Sequence, residues 1–260
     1  MLGEGNPNET MMRPNLQASG GTDTAASTPP VSSPELDEFI YLISHDVRGS
    51  VRALLELPQW IAEDLQEAGI PVDGSVATSI EMMNRHAGRL DRMLVDLLTY
   101  SRIGRMQEVR ANDLPTALAQ VLEEIPVPAE FDVRTALECA SITMGERDLL
   151  TLLDALIRNA IKHHDKTRGR IIVTAIDDGG DIVLAVADDG PGIAPEFREK
   201  ALGAMRTLRP RDEVEGSGMG LAHVAKIAAL YGGTVTLTES PYGRGCLVSV
   251  RLRRDGVDGN

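Results

Sequence analysis

Two apolar seams with coiled-coil spacing limit most strongly how this chain can fold. In each seam the apolar positions are separated alternately by four and three residues, apart from one gap at Ser50 in the first. The first seam consists of Leu36, Ile40, Ile43, Val47, Leu54, Leu57 and Ile61. The second consists of Val76, Ile80, Met83, Ala87, Leu90, Leu94 and Leu97. This spacing predicts two long helices that each pack along one stripe.

The segment 68–74, which contains glycines and a proline, separates the two seams. Two helices with so short a connection form an antiparallel hairpin. Each seam would still expose about half of its apolar surface. A second copy of the chain would cover it, so we expect a homodimer with a four-helix bundle. The alternative is that the hairpin folds back on the second half of its own chain.

A histidine next to a carboxylate lies off the first seam. His45 is two residues from both Ile43 and Val47, which places it about 200° round the helix from the apolar stripe. We therefore expect His45 to face solvent, where it would be a poor core residue and a good phosphoacceptor. Asp46 can orient the imidazole and raise the basicity of its free nitrogen. The pair is also compatible with an ordinary polar face of a coiled coil.

The second half of the chain has a mixed pattern of helix and strand. Helices are predicted at 114–124, 146–164 and 217–231, and strands at 131–134, 141–144, 170–176, 182–187, 234–238 and 246–252. This order predicts a sheet with helices on one face. The residues before it, 108–113, are predicted to be a linker. Residues 1–34 are polar and almost free of large apolar groups, so we expect them to be disordered.

Composition and the absence of long apolar runs disfavour several classes of protein. The 260 residues carry a formal net charge of −13, which disfavours a nucleic-acid-binding protein. Cys139 and Cys246 fit no metal spacing or disulfide framework, so they are expected to be buried thiols in a reducing cytoplasm. No apolar run approaches about 18 residues, so no membrane span is expected. The N-terminus has no pattern of a secretory signal.

Three segments of the second half carry residues suited to a nucleotide. Asn159, Lys162 and His163 share one helix face, where an amide oxygen suits Mg²⁺ and a lysine suits phosphate. Asp188 ends an apolar strand beside Gly190 and Gly192, and its carboxylate can accept from an exocyclic amine. Each segment alone also fits a plain surface helix or an Asp-Gly turn.

The third of these segments is rich in glycine. Gly216, Gly218 and Gly220 precede a helix, so backbone N–H groups and the positive end of a helix dipole would face phosphates. The pattern is neither a Walker nor a Rossmann motif, because no strand comes directly before it.

In this order the segments resemble the conserved boxes of sensor histidine kinases of two-component systems. Ile43-Ser-His-Asp-Val-Arg48 resembles the H-box, and Asn159-Ala-Ile-Lys-His-His164 the N-box. Asp188-Asp-Gly-Pro-Gly-Ile193 resembles the G1 box, and Gly216-Ser-Gly-Met-Gly-Leu221 the G2 box. Residues 207–215 resemble the ATP lid of the phytochrome-like branch. The resemblance extends over about residues 35–254.

The resemblance implies an α+β chain whose histidine is phosphorylated by Mg-ATP and then passes the phosphoryl group to an aspartate of a response regulator. The implied parts are a disordered tail (1–34), a dimerisation and phosphotransfer hairpin (35–107), a linker (108–113) and an α/β sandwich that binds ATP (114–256). His45 would be the nucleophile and Asp46 its partner. Phosphates and the nucleotide pocket would involve Lys162, His163, Arg209, Arg211, Gly190, Gly192, Gly216, Gly218 and Gly220. Asn159 would hold Mg²⁺, and Asp188 would bind adenine.

Some positions depart from the family pattern. Gly49 stands where Thr or Asn often places a water for dephosphorylation of the regulator, so weak phosphatase activity is expected. Ser50 replaces a common proline, and Pro58 is expected to kink the helix. Leu202 and Met205 replace aromatic residues that are common before the lid.

Three other functions can be compared with these motifs. An ATPase of the gyrase, Hsp90 and MutL kind needs a glutamate one turn before Asn159, but this position is Ala155. A dimeric histidine phosphotransfer protein with a degenerate, non-catalytic ATP-binding domain is the main alternative, and a pure dimeric scaffold is a third.

Overall fold

The computed structural model describes residues 34–208 and 216–254, which form six helices and seven strands in those ranges. The helices are α1 (Pro34–Glu67), α2 (Gly74–Arg102), α3 (Leu114–Glu124), α4 (Glu146–Lys162), α5 (Pro195–Ala201) and α6 (Gly220–Leu230). The strands are β1 (Val109–Asp113), β2 (Phe131–Leu137), β3 (Ser141–Gly145), β4 (Gly169–Asp178), β5 (Asp181–Asp188), β6 (Thr234–Glu239) and β7 (Cys246–Arg253). The predicted α+β class, with a helical hairpin before a mixed sheet, is confirmed.

Helices α1 and α2 form the predicted hairpin. Its inner line on α1 contains Ser44, Val51 and Pro58, spaced by seven residues and buried. The inner line on α2 contains Ala87 and Leu94 with the same spacing. Helix α1 is continuous through Pro58. In the described parts of the chain, every helix is too short or too polar to cross a lipid bilayer.

Much of the first seam lies beside this inner line and remains accessible to solvent. Ile43, Leu54 and Ile61 are each more than 40 % exposed. The expectation that one hairpin leaves part of its apolar surface uncovered is therefore confirmed. Leu36 belongs to the same seam, but its side chain lies outside the described part of the structure, as do residues 1–33 of the predicted tail.

The second half contains two sheets. Strands β1 and β3 pair in an antiparallel ribbon, and the larger sheet has the order β2-β4-β5-β7-β6, with only the β2–β4 pair parallel. Helices α4 and α6 pack on each other and on the larger sheet. Residues of β7 alternate between buried and more exposed, as expected for a sheet whose helices cover one face. Both cysteines are free and buried, as predicted.

The sequence-based boundaries require four corrections. Residues 109–113 form β1, so most of the predicted linker belongs to a sheet. Helix α4 ends at Lys162 rather than at residue 164. Helix α6 begins at Gly220 rather than at residue 217, because Gly218 has a positive φ of 76° that an α-helix does not accommodate. The short helix α5 was not predicted.

Candidate functional site

A cavity of about 550 Å³ lies where α4, the turn after β5, the turn before α6 and one side of α2 meet. Most of the nucleotide-site residues predicted from the sequence line it. These residues are Asn159, Lys162, His163, Asp188, Gly192, Gly216, Gly218 and Gly220. Segments that are distant in the chain thus come together around one space large enough for a small ligand.

The end of α4 faces the glycine-rich turn. Asn159 is half-buried in the wall, and Lys162 lies one turn further along the same helix face. A Cβ atom added to Gly216 would collide with the ammonium group of Lys162. The lysine therefore reaches the turn itself, where its positive charge adds to the backbone N–H groups.

Asp188 lies at the end of β5 and is 8 % exposed. Its Oδ1 accepts hydrogen bonds from the backbone N–H groups of Gly190 at 2.8 Å and Cys246 at 3.2 Å. Burial raises the pKa of this carboxyl, although these hydrogen bonds oppose the rise. Because both backbone bonds use Oδ1, Oδ2 can accept from a ligand in the cavity.

Two of the glycines are required by close backbone approaches. Gly192 has φ 75°, and a Cβ atom there would lie 2.8 Å from the carbonyl oxygen of Gly245. Gly218 has φ 76°, and a Cβ atom there would lie 2.5 Å from the carbonyl oxygen of Arg206. Both conformations are strained for other residues, so these turns hold their shape only with glycine.

Three of the predicted site residues that the structure describes, Gly190, His45 and Asp46, are not in the cavity wall. Gly190 lies behind the wall and supports Asp188 through its N–H group. His45 and Asp46 are on α1, and no described residue of α1 lines the cavity. Arg209 and Arg211 lie outside the described residues, as does most of the predicted lid.

His45 faces solvent, as predicted, with a side chain that is 70 % exposed. Its Nδ1 lies 3.3 Å from Oδ1 of Asp46. An ionised carboxylate only accepts hydrogen bonds, so this contact favours the tautomer with the hydrogen on Nδ1 and a lone pair on Nε2. In that tautomer Nε2 is the nucleophilic nitrogen.

The pairing of α1 with α2 shows which part of α2 lies beside His45. Arg48 Nε lies 3.9 Å from Asp91 Oδ1, and the Arg102 guanidinium lies 5.5 Å from the centre of the Tyr41 ring. His45 falls between Tyr41 and Arg48 on α1. It is therefore level with the part of α2 between Asp91 and Arg102, which lines the cavity.

The sequence did not predict that α2 would contribute to the cavity. Val95, Asp96 and Thr99 line it, and the Ser217 hydroxyl donates a hydrogen bond to Asp96 Oδ2. Ser217 lies inside the glycine-rich motif, but no pattern in the sequence indicated its partner on α2.

Two buried polar residues of α6 also hold α2. His223 Nε2 donates to the backbone carbonyl of Asp96 at 2.9 Å, and burial lowers the pKa of this histidine. Lys226 Nζ donates to the carbonyl of Tyr100 at 2.9 Å, at the C-terminal end of α2 where a cation is favourable. In the sequence, the polar residues His223 and Lys226 on the otherwise apolar helix α6 were the feature that could have indicated this contact.

Comparison with known proteins identifies the family of the C-terminal part of the chain. Residues 144–256 match the family described as histidine kinase-, DNA gyrase B-, and HSP90-like ATPase. The sensor protein RstB of Escherichia coli (strain K12) is 32% identical over 179 residues, which cover 66% of this chain and 41% of RstB. Residues 144–256 are a domain of this ATPase family, and the chain is a relative of sensor histidine kinases. It spans less than half the length of the curated relatives it matches.

Solved structures show the same fold. Full-length ShkA in complex with AMPPNP superposes with a TM-score of 0.62 and 24% identity, covering 85% of this chain and 46% of ShkA. The histidine kinase ThkA in complex with the response regulator protein TrrA gives a TM-score of 0.57 and 17% identity, covering 85% of this chain and 63% of the other. In both cases the similarity includes the hairpin as well as the ATPase-family domain, since that domain alone is a smaller share of the chain.

Proposed function

We propose that this protein is a histidine kinase that transfers the γ-phosphoryl group of ATP to His45 and then to an aspartate of a response regulator. One observation carries the proposal. The same α2 segment that lines the ATPase-family cavity is level with an exposed histidine whose Nε2 is free.

ATP would bind with its adenine against Asp188 and its phosphates toward the glycine-rich turn. Asp188 Oδ2 would accept from the exocyclic amine, and Lys162 would neutralise phosphate charge. His163 and, beyond the described residues, Arg209 and Arg211 would add positive charge. ShkA was solved with AMPPNP, which supports a nucleotide in this kind of cavity.

The residues present fit Mg²⁺ if phosphates complete its coordination. Among the described residues no three His, Cys, Asp or Glu side chains come together as a metal cage. Mg²⁺ often uses one or two protein oxygens, several waters and substrate phosphates. The Asn159 amide oxygen at the cavity wall suits that role, and the bound ion would offset charge on the phosphates.

The proposed transfer needs little chemistry from the protein. The Nε2 lone pair of His45 attacks the γ-phosphorus, the bond to the β–γ bridging oxygen breaks, and ADP leaves with that electron pair. Asp46 keeps the hydrogen on Nδ1 and stabilises the positive charge of the phosphorylated ring. Catalysis is then mostly positioning and charge neutralisation.

We propose that the ATP-binding domain moves for the transfer, because no described residue of α1, His45 included, lines the cavity. Motions of whole domains on the microsecond to millisecond timescale are common in such enzymes. The acceptor histidine could be that of the same chain or of a second copy.

We also propose that two copies associate through the exposed seam. The half-exposed apolar residues of this surface are Ile43, Val47, Leu54, Leu57 and Ile61 on α1 and Met83 and Leu90 on α2. Full burial of one such side chain stabilises by about 1.5–3 kcal/mol, so a four-helix bundle would gain substantially from covering them.

A response regulator is the proposed acceptor, and ThkA, solved with such a partner, supports it. The free buried thiols fit the reducing cytoplasm that we propose as the site of action.

The test is incubation with radiolabelled Mg-ATP and detection of label that is acid-labile and base-stable. Wild type should label, and His45→Gln should not. Asn159→Ala should lose labelling from ATP but still accept phosphate from a phosphorylated regulator through His45. If wild type never labels from ATP but accepts from the regulator, the protein is a phosphotransfer protein. If His45→Gln labels like wild type, the proposal is wrong.

A further inference from the structure

We propose that His164 is a positioning residue of the nucleotide site. Its imidazole would fix the turn that carries Asp188 to the end of α4 that carries Asn159 and Lys162. The inference rests on the proposed function and adds a residue that need not touch ATP itself.

His164 is buried immediately after α4. The helix ends at Lys162, and the His164 side chain is only 1 % exposed. Its ring packs on Phe131 in a T-shaped arrangement, with ring centres 5.1 Å apart. A buried imidazole is costly unless its nitrogens are hydrogen-bonded, so the partners of this ring matter.

The direction of one hydrogen bond is fixed by chemistry. His164 Nε2 lies 3.0 Å from Oδ1 of Asp189. Burial alone would raise the pKa of Asp189, but hydrogen bonds from Arg170 and His164 outweigh it and lower the pKa to about 2. The carboxylate is therefore ionised and can only accept, so Nε2 carries the hydrogen and donates it.

The other nitrogen is also engaged. His164 Nδ1 lies 3.1 Å from the backbone nitrogen of Lys166, which donates to it when the ring is neutral, and 3.2 Å from the carbonyl oxygen of Lys166. The ring is thus held at both nitrogens, one by the chain that follows α4 and one by the turn after β5.

Asp189 connects this ring to the adenine side of the cavity. It also accepts from the backbone nitrogen of Arg170 at 2.6 Å and from its Nε at 3.0 Å. Asp188, the preceding residue in the chain, lines the cavity. A Cβ atom added to Gly190 would lie 3.4 Å from Cδ2 of His164, so the ring also supports the turn from behind.

The consequence is a direct link between the two ends of the cavity. Adenine contacts come from the turn at Asp188, and phosphate contacts come from α4. If the link is lost, the turn can shift relative to α4, and misplacement by about 1 Å is enough to weaken a site of this kind.

Two substitutions separate the hydrogen bond from simple packing. His164→Phe keeps a ring of similar size but removes both nitrogens. His164→Gln removes the ring but keeps an N–H donor at about the reach of Nε2. His86, which is exposed on α2, offers matched His86→Phe and His86→Gln controls that should change nothing.

We expect His164→Phe to raise the dissociation constant of ATP about tenfold, measured by calorimetry, and His164→Gln to recover most of the affinity. The rate of His45 labelling at saturating ATP should change much less, because the lost interaction acts on bound nucleotide and transition state alike. In the nucleotide-free protein, the NMR signal of the Gly190 amide should shift in His164→Phe more than in His164→Gln.

The outcomes distinguish this inference from the proposed function. Equal affinity in wild type and His164→Phe would overturn the positioning role, and so would equal losses in both variants, which would indicate packing alone. A wild-type protein that binds ATP but never labels His45 would refute the kinase proposal, while the affinities would still decide the role of His164. A wild type that binds no ATP would overturn both.

Discussion

Two neighbouring carboxylates at the C-terminal end of β5 have opposite effects on the folded state. Burial raises the pKa of Asp188, whereas Asp189 has a pKa of about 2 because hydrogen bonds outweigh its burial. A raised pKa means that folding disfavours the ionised form, so any stabilisation from Asp188 is lost as the pH rises through its folded pKa. Asp189 stabilises above its unfolded pKa near 3.8, and this contribution is lost as the pH falls toward about 2.

Asparagine at these two positions should therefore give opposite changes in stability. Asp188→Asn keeps an oxygen for Gly190 and Cys246 and removes a buried charge, so Tm at pH 7 should rise by a few degrees. The same change should weaken ATP binding about tenfold or more, since its –NH₂ would face the adenine amine. Asp189→Asn should lower Tm. Calorimetry at pH 7 checks both, and Tm changes of the same sign would contradict this account.

Gly49 lies one turn after His45 in a part of α1 with open space around it. A Cβ atom added there would meet nothing within 4 Å. The family resemblance implies that Thr or Asn at this position places a water against the phosphorylated regulator. We therefore expect Gly49→Thr to fold normally and to raise the rate of regulator dephosphorylation by about tenfold. Gly49→Ala is the matched control without a hydroxyl. Equal rates in wild type and both variants would refute this role.

Local chemistry explains why much of the cavity could be predicted from the sequence. Asn159 and Lys162 share a helix face, and Gly192 and Gly218 need positive φ, so each signal lies within a few residues. Asp96 could not be predicted as a wall residue, because its place depends on how α2 packs on α6.

At the scale of elements, dependence on contacts between distant parts of the chain also explains why strand β1 was not predicted from the sequence. Helix α3 has the predicted bounds because Asp113 caps it, accepting from Thr116 N–H at 2.8 Å, and a proline stands in its first turn. Strand β1 has a polar sequence with only Asn112 buried. It is a strand because β3 pairs with it, and such pairing leaves no periodic signal in a sequence of five residues.

Three elements meet at one buried hydrogen-bonded cluster. Asp148 at the start of α4 accepts from the Gly104 N–H group after α2, at 3.0 Å. Tyr231 at the end of α6 donates to Asp148 at 2.8 Å and accepts from Gly145 N–H at 2.9 Å. The cluster ties the end of the hairpin to the ATP-binding domain.

Tyr231→Phe should destabilise the protein. It leaves the Gly145 N–H group and one oxygen of Asp148 without this partner, and a buried unsatisfied group costs about 1–3 kcal/mol. Urea denaturation should show a lower midpoint with an unchanged slope. Tyr242→Phe, in the β6–β7 hairpin, is the matched control and should have little effect. Equal midpoints in wild type and Tyr231→Phe would show that the cluster adds nothing to stability.

At the scale of the whole molecule, the hairpin and the ATP-binding domain both contribute residues to the wall of the cavity. The sequence predicted both units, but not that Asp96 of α2 would bind Ser217 in the glycine-rich turn or that His223 and Lys226 would hold the α2 backbone. The contact places a carboxylate where we propose that the phosphates of ATP lie. In this arrangement, α2 both completes the cavity and opposes the charge of its ligand.

Asp96→Ala should therefore tighten ATP binding. The change removes a negative charge beside the glycine-rich turn and frees the Ser217 hydroxyl, so the dissociation constant of ATP should fall about five-fold at low ionic strength. The gain should shrink as salt is added, because screening weakens the repulsion between exposed charges. Asp91→Ala is the matched control, since Asp91 pairs with Arg48 of α1 and does not line the cavity. Unchanged or weaker ATP binding in Asp96→Ala, measured by calorimetry across a salt series, would show that this carboxylate does not compete with phosphate.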